Sequence, residues 1–339
     1  MAEMQYLRLG RSNLRVSRLC LGAMMFGDQT DAQEAARIVA SAREQGVNFI
    51  DTADVYTRGA SESVVGPLIR EQRDWWVLAT KLGNAMSSAP NESRYSRKWM
   101  VREVDASLAR LGTDYIDILY LHRDFEHDAL DEPLRVMDDL VRTGKIRYFG
   151  VSNFRGWRIA EIVRLCDAMD IARPVVCQPY YNLLNRQPEV EILPACAHYG
   201  LGVVPYSPIA RGVLSGKYKP GSAPVEGSRA ARQDRRMMET EWRPESLKIA
   251  ERLARHAEKK GLPLVQFAVA WVLANPIVTS VIAGPRTLAQ WEGYRGALDV
   301  AWTARDEALV DRLVTPGHAS TPGYNDPQYP FFGRPVAKG

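Results

Sequence analysis

The chain has few cysteines and no pairing pattern among them. Cys20, Cys166, Cys177 and Cys196 are the whole set, and no CxxC occurs. That spacing argues against a disulfide framework or a zinc site and reads as reduced core thiols. No run reaches the roughly 18 consecutive apolar residues of a membrane helix. The opening MAEMQYLRLGRSNLRVS carries charge where a secretory leader needs an apolar stretch. The expectation is a cytoplasmic protein with no membrane partner. Basic blocks are missing too: 44 Lys and Arg stand against 40 Asp and Glu, scattered along the chain, for a net charge of +4. Such scatter gives no stripe to follow a phosphate backbone, which excludes nucleic acid as an expected partner. The small positive excess still suits an anionic small molecule. No GxGxxG follows a candidate strand, which disfavours a doubly wound dinucleotide-binding domain.

What is present is a large apolar share, 46% of 339 residues, with 25% charged, enough for a sizeable core. Short runs rich in Val, Ile, Leu and Tyr alternate with longer amphipathic segments, the signature of repeated βα units around a parallel sheet. Strands are predicted at 17–21, 47–50, 76–80, 116–121, 148–151, 175–178, 202–205 and 279–282. Helices are predicted at 31–44, 97–110, 134–142, 158–168, 189–198, 244–259 and 263–273. In the second of these, Met100, Val104, Leu108 and Leu111 form one stripe. Eight strands favour a closed barrel, so the expected fold class is α/β, a (β/α)8 TIM barrel forming one domain over 1–339. Residues 4–9 and 14–16 around the turn 10–13 read as an N-terminal β-hairpin plugging the barrel bottom. Three irregular stretches, 82–96, 211–243 and the Pro-, Gly- and aromatic-rich tail beyond 315, are expected as extended loops at the C-terminal face.

Barrel enzymes take their chemistry from the C-terminal ends of the strands. There the sequence offers Asp51 and Tyr56, Lys81, His122, Ser152 and Asn153, Gln178, Tyr206 and Ser207, and Gly284 and Arg286. Each has a bland reading alone: a rim tyrosine, a snorkelling lysine, a cap aspartate, a satisfied histidine. Together they are better explained by mutual pairing, because a lysine and acids capping apolar strands are costly to desolvate unpaired. A buried Lys81 held by Asp51 is expected to lower the pKa of Tyr56 and make it a proton donor, with neutral His122 polarising a carbonyl. No metal is needed. A hydride donor is, and side chains cannot supply one.

DTADVY followed by SE at residues 61–62, the strand end VLATK, and GTDYIDILYLHR strongly resemble the aldo/keto reductases. The resemblance runs from about residue 7 to residue 290 and implies a catalytic tetrad of Asp51, Tyr56, Lys81 and His122. It further implies that Ser152, Asn153 and Gln178 hold a nicotinamide carboxamide and that Tyr206 stacks on the nicotinamide ring. Ser207, Ile209, Arg211, Gly212 and Leu214 match positions that wrap the pyrophosphate, and Lys217 and Arg229 match positions that close over it in the longer-looped branches. Arg286, with Gly284 and Gln290 beside it, resembles the residue that meets an adenosine 2′-phosphate, implying NADPH (NADP+) as cofactor. Where the family grips the adenine with Glu-Asn, this chain reads Gly293 and Tyr294, with Glu292 one position away.

The reading is therefore an NADPH-dependent reductase of an aldehyde or ketone, bulky or alicyclic, acting as monomer or homo-oligomer. Candidate substrate contacts by position are Phe26, Val55, Met86, Arg123 and Asp124, together with the aromatic tail that holds Tyr324, Tyr329, Phe331 and Phe332. The alternatives are a redox-sensing regulatory subunit with little turnover, since the resemblance extends to potassium-channel β subunits, which typically lack the histidine, and a barrel acting on phosphorylated sugars.

Overall fold

The fold is that of a computed structural model, which describes residues 3–125 and 127–331. Two short strands, β1 (Tyr6–Arg8) and β2 (Arg15–Ser17), pair antiparallel as the expected hairpin. Ser17 belongs to this hairpin, opposite Tyr6, and not to the first barrel strand as the sequence pattern suggested. The turn between them needs Gly10. Its φ is +56°, and a Cβ there would sit 2.5–2.6 Å from backbone atoms of Val175, Gly200 and Gly202. These lie at the starts of two barrel strands, so the hairpin closes the N-terminal end of the barrel, with Leu9 fully buried in the interior.

Eight parallel strands follow: β3 (Leu19–Gly22), β4 (Phe49–Asp51), β5 (Val77–Leu82), β6 (Ile116–Leu121), β7 (Ile146–Ser152), β8 (Val176–Gln178), β9 (Gly202–Val203) and β10 (Val281–Ala283). They stand in the order β10-β3-β4-β5-β6-β7-β8-β9. The ring closes where Thr279 N–H donates to Val203 O at 2.8 Å and Ile282 N–H to Pro205 O at 3.0 Å. This is the expected (β/α)8 barrel. The helices pack outside the sheet, and no helix among the described residues is long and apolar enough to cross a membrane. All four cysteines are free and buried.

Two helical expectations need correction. Ala60–Ile69 is a helix that periodicity did not suggest, because Gly66 and Pro67 interrupt its pattern. Gly66 is demanded by packing: a Cβ there would meet Leu111 O at 2.2 Å. In the helix Arg97–Leu111 the buried stripe includes Glu103 and Ser107 while Leu108 is only half-buried. The stripe rotates because Arg110 bonds both Ser107 and Glu103, and it also reaches Glu62. The stretch 211–243 likewise contains the helix Arg235–Thr240.

The two-residue period of the strands is what positions the site. Inward-facing residues form the interior cluster: Cys20, Phe49, Val77, Ala79, Ile118, Tyr120, Val176, Val204 and Ile282. Stepping two residues further along these rows gives Asp51 from Phe49, Lys81 from Ala79, His122 from Tyr120, Gln178 from Val176, Tyr206 from Val204 and Gly284 from Ile282. Each polar residue thus tops an apolar column at the C-terminal end. The outward rows, such as Leu78 and Leu82, join the main core under the helices.

Candidate active site

Lys81 is the fully buried centre of the group. Its ammonium donates to Asp51 Oδ1, to Thr52 O at 2.7 Å and to Tyr56 Oη at 3.2 Å. All three of its N–H groups are therefore used. Asp51 accepts a second bond from Gln178 Nε2 at 2.9 Å. Burial pushes the Asp51 carboxyl up, against the pull of Lys81 and Gln178. Burial alone would discharge Lys81, but Asp51 and then Tyr56 outweigh it and hold its pKa above the ordinary lysine value.

Lys81 pulls the Tyr56 pKa down as expected, but the net shift is upward. Tyr56 opens onto the cavity yet lies deep, and burial raises its phenol above the usual range despite the ammonium beside it. The phenol therefore stays protonated at neutral pH, the form a proton donor requires. His122 lies edge-on to Tyr56 at 5.8 Å between ring centres. Burial, then the charges of Lys81 and Arg123, drive its pKa well below the ordinary value, so the imidazole is neutral. Its Nδ1 has no hydrogen-bond partner among the described residues.

A continuous set of bonds runs from this group along the strand ends. Ser152 Oγ donates to Gln178 O at 2.9 Å. Asn153 Nδ2 donates to His122 O and Ser152 Oγ, and Tyr206 Oη donates to Asn153 Oδ1 at 2.7 Å. Tyr206 packs one face on Tyr180 at 5.6 Å. Asn153, Ser207, Ala210 and Arg211 all take positive φ, between 48° and 60°. Strained backbone of this kind persists where surrounding structure over-determines it and clusters at functional sites. Arg211 is held from behind by Glu241, fully buried, at 3.2 Å, and Tyr180 Oη donates to the same carboxylate at 2.7 Å.

These residues wall a cavity of about 590 Å3. It brings together Asp51, Tyr56 and His122 with Ser152, Asn153, Gln178, Tyr206, Ser207, Ile209, Arg211, Gly212, Lys217, Arg229, Gly284, Arg286, Gln290 and Val55. Lys81 lies behind Tyr56, and Leu214 is buried beneath the wall without lining it. The positional substrate candidates fare differently. Phe26 is fully buried in the outer core, and the wall is instead made by Met24, two residues beyond Gly22 on the inward row. Met86 is absent from the wall, and Asn84 stands there. Asp124 pairs with Arg158, whose side chain is 7% exposed. Arg123 holds the tail, donating to Gln328 O at 3.1 Å. Phe332 lies outside the described residues.

Sequence reasoning pointed to the tail and to Tyr329 but missed Gln328. Gln328 and Tyr329 line the cavity, fastened by Arg155 to Tyr329 O at 2.9 Å and by the fork of Arg236 on Asp326 at 3.0 and 2.6 Å. It also missed Arg236 itself, which lines the wall, and Arg232, which donates to Gln29 Oε1 at 2.6 Å. Arg286 approaches the same oxygen at 3.3 Å. Burial, then Arg232 and Arg229, lower the Arg286 pKa. Arg229 is paired with Asp234 at 2.8 Å, whereas Arg232 and Arg286 bond the neutral oxygens of Gln29 and Gly227, so these two guanidinium groups make this end fit a phosphate.

The model of the aldo/keto reductase family matches residues 18–315. The chain is similar to the "Probable voltage-gated potassium channel subunit beta" of Arabidopsis thaliana, 37% identical over 302 residues, 88% of this chain and 92% of the relative. A protein of the same description from Oryza sativa subsp. japonica is 37% identical over 315 residues, 91% and 95% of the two chains. The "Uncharacterized oxidoreductase YrpG" of Bacillus subtilis is 37% identical over 309 residues, 88% and 92%. With barrel, strand-end group and cavity in hand, the chain belongs to the aldo/keto reductase family, oxidoreductases acting on carbonyls that generally bind NAD(P)H.

Proposed function

We propose that this protein reduces an aldehyde or ketone to the alcohol with NADPH, Tyr56 serving as general acid. One observation carries the reading: Lys81 donates to Tyr56 Oη, so the phenol oxygen is an acceptor on that side and its own proton is free to point elsewhere, into the cavity. NADPH, when bound, supplies the hydride. Tyr56 then delivers the proton to the carbonyl oxygen, and the ammonium of Lys81 stabilises the phenolate left behind. His122, as the neutral imidazole, orients the same oxygen by a hydrogen bond. Ser152, Asn153 and Gln178 hold the carboxamide, Tyr206 stacks on the ring, and Ser207, Ile209, Arg211, Gly212 and Lys217 embrace the pyrophosphate. The corner of Arg232 and Arg286, with Arg229 paired to Asp234 beside them, favours NADPH over NADH, since only the former brings a 2′-phosphate to these guanidinium groups.

Met24, Val55, Tyr206 and Tyr329 make the substrate mouth apolar and aromatic, which suits a bulky or alicyclic carbonyl. Four free, buried thiols agree with a cytoplasmic setting. We take residues 1–339 as one barrel domain, acting as monomer or homo-oligomer. The names of the two plant relatives favour a second reading, a redox-sensing regulatory subunit with little turnover. Absorbance at 340 nm, followed with purified protein, NADPH or NADH, and a panel of aldehydes, quinones and alicyclic ketones, separates the two. Turnover with preference for NADPH is expected; tight NADPH binding without turnover on any carbonyl supports the regulatory reading.

A further inference from the structure

β6 ends at Leu121, one residue before the histidine of the site. The His122 N–H still meets backbone, donating to Leu82 O at 2.9 Å. The peptide that follows, joining His122 to Arg123, is gripped by side chains at both of its polar atoms. Asn153 Nδ2 donates to its oxygen at 2.9 Å, and its N–H donates to Tyr95 Oη at 3.1 Å. Tyr95 Oη in turn donates to Arg123 O at 2.6 Å, so one hydroxyl serves both backbone groups of Arg123. Burial pushes the Tyr95 phenol up, which keeps that donor protonated. The ring itself has little freedom. Tyr95 is buried and packs edge-on against Phe125 at 5.3 Å between ring centres. It lies so close over Gly83 that a Cβ there would meet its ring and hydroxyl at 2.5–2.7 Å. Arg94 N–H donates to Gly83 O at 2.8 Å and closes the loop that delivers Tyr95.

We propose, resting on the reductase reading above, that Tyr95 is a positioning residue: its hydroxyl fixes the peptide that aims the His122 imidazole at the carbonyl oxygen. His122 stands edge-on to Tyr56 at 5.8 Å, and in that reading the two must meet at one oxygen atom. A turn of the His122–Arg123 peptide swings the imidazole off that point, while Tyr56, on the loop after β4, stays where it is. Asn153 restrains the peptide only at its oxygen. A plane held at one atom pivots, and Tyr95 supplies the second point. Misplacement of a catalytic group by about 1 Å costs up to about 10²-fold in rate.

The test uses Tyr95→Phe in the full chain, which keeps the ring over Gly83 and Phe125 and removes only the hydroxyl. The readout is the single-turnover rate of NADPH oxidation with the best carbonyl of the panel at saturation. It is expressed per NADP+ site counted by fluorescence titration, so that unfolded chains do not enter. The expected result is a rate lower by about ten- to a hundredfold, with the NADP+ dissociation constant within about threefold of the parent. The second measurement repeats the substitution in His122→Ala, where there is no imidazole to aim. There Tyr95→Phe is expected to change the residual rate by less than about threefold, which a general loosening of the site would not give. A Tyr95→Phe rate within about fivefold of the parent, an NADP+ affinity about tenfold weaker, or the same fold loss in both backgrounds each overturns the inference and leaves the reductase reading intact. No turnover by the parent protein on any carbonyl overturns both.

Discussion

Replacing Asp51 with Asn keeps the shape of the strand end and removes the one full negative charge that touches Lys81. Lys81 is fully buried, and burial is the strongest influence on its titration, acting to discharge it; Asp51 is the largest opposing one. Breaking a buried ion pair from one side costs about 3–5 kcal/mol where the remaining charge has no escape. Here the escape is deprotonation, so the Lys81 pKa is expected to fall from above the ordinary lysine value to below it. A neutral Lys81 has a lone pair, and the Tyr56 hydroxyl then donates to it instead of to substrate. The sign follows. In the parent, Lys81 is charged up to a raised pKa, so reduction is sustained across neutral pH and lost only in alkali. In Asp51→Asn the alkaline limb moves to lower pH, and activity, down by about 10²–10⁴ at neutral pH, recovers partly on acidification. Initial rates of NADPH oxidation from pH 5 to 10, beside urea unfolding at pH 7 and pH 5.5, read both effects. A variant with parental stability and an unmoved pH profile would refute the pairing argument.

Arg286→Ala is expected to weaken NADPH binding about 10- to 100-fold and to leave NADH binding within a factor of about three, because a charge-assisted phosphate contact contributes on the order of 1.5–3 kcal/mol; equal losses for both nucleotides would remove Arg286 from the 2′-phosphate. Asp326→Asn breaks the fork of Arg236 that fastens the tail, and since these side chains are only 23% and 11% exposed the loss is about 1–2 kcal/mol. Loosening Tyr329 in this way is expected to raise KM for the carbonyl several-fold with little change in NADPH affinity; an unchanged KM would show that the tail does not shape the substrate mouth.

The eight-strand barrel was legible because each inner row of a strand is apolar until its last member, so a polar residue at the end of an apolar run marks both strand and site. Asp51, Lys81, His122, Gln178 and Tyr206 all follow that rule. The same two-residue step points to Met24 and passes over Phe26, which lies in the bend after β3 with its N–H on Ala23 O. The aromatic tail could be read from the sequence, but the contacts that dock it and brace Arg211 left no local signal. Tyr329 reaches the cavity through arginines at 123, 155 and 236, and Glu241 supports Arg211 from thirty positions away. The direction of the Tyr56 shift was misjudged for a related reason: charge pairs can be read from spacing, whereas the depth of a phenol beneath a rim depends on every loop above it.

The central claim is that the Tyr56 hydroxyl, held by Lys81 and aimed into the cavity, donates the proton. It is tested most directly with Tyr56→Phe, comparing NADPH oxidation on the best carbonyl of the panel with NADP+ affinity measured on the same preparation. The account expects turnover to fall by 10²–10⁴ while the dissociation constant for NADP+ stays within about threefold of the parent. Turnover within tenfold of the parent, at unchanged cofactor affinity, would contradict it.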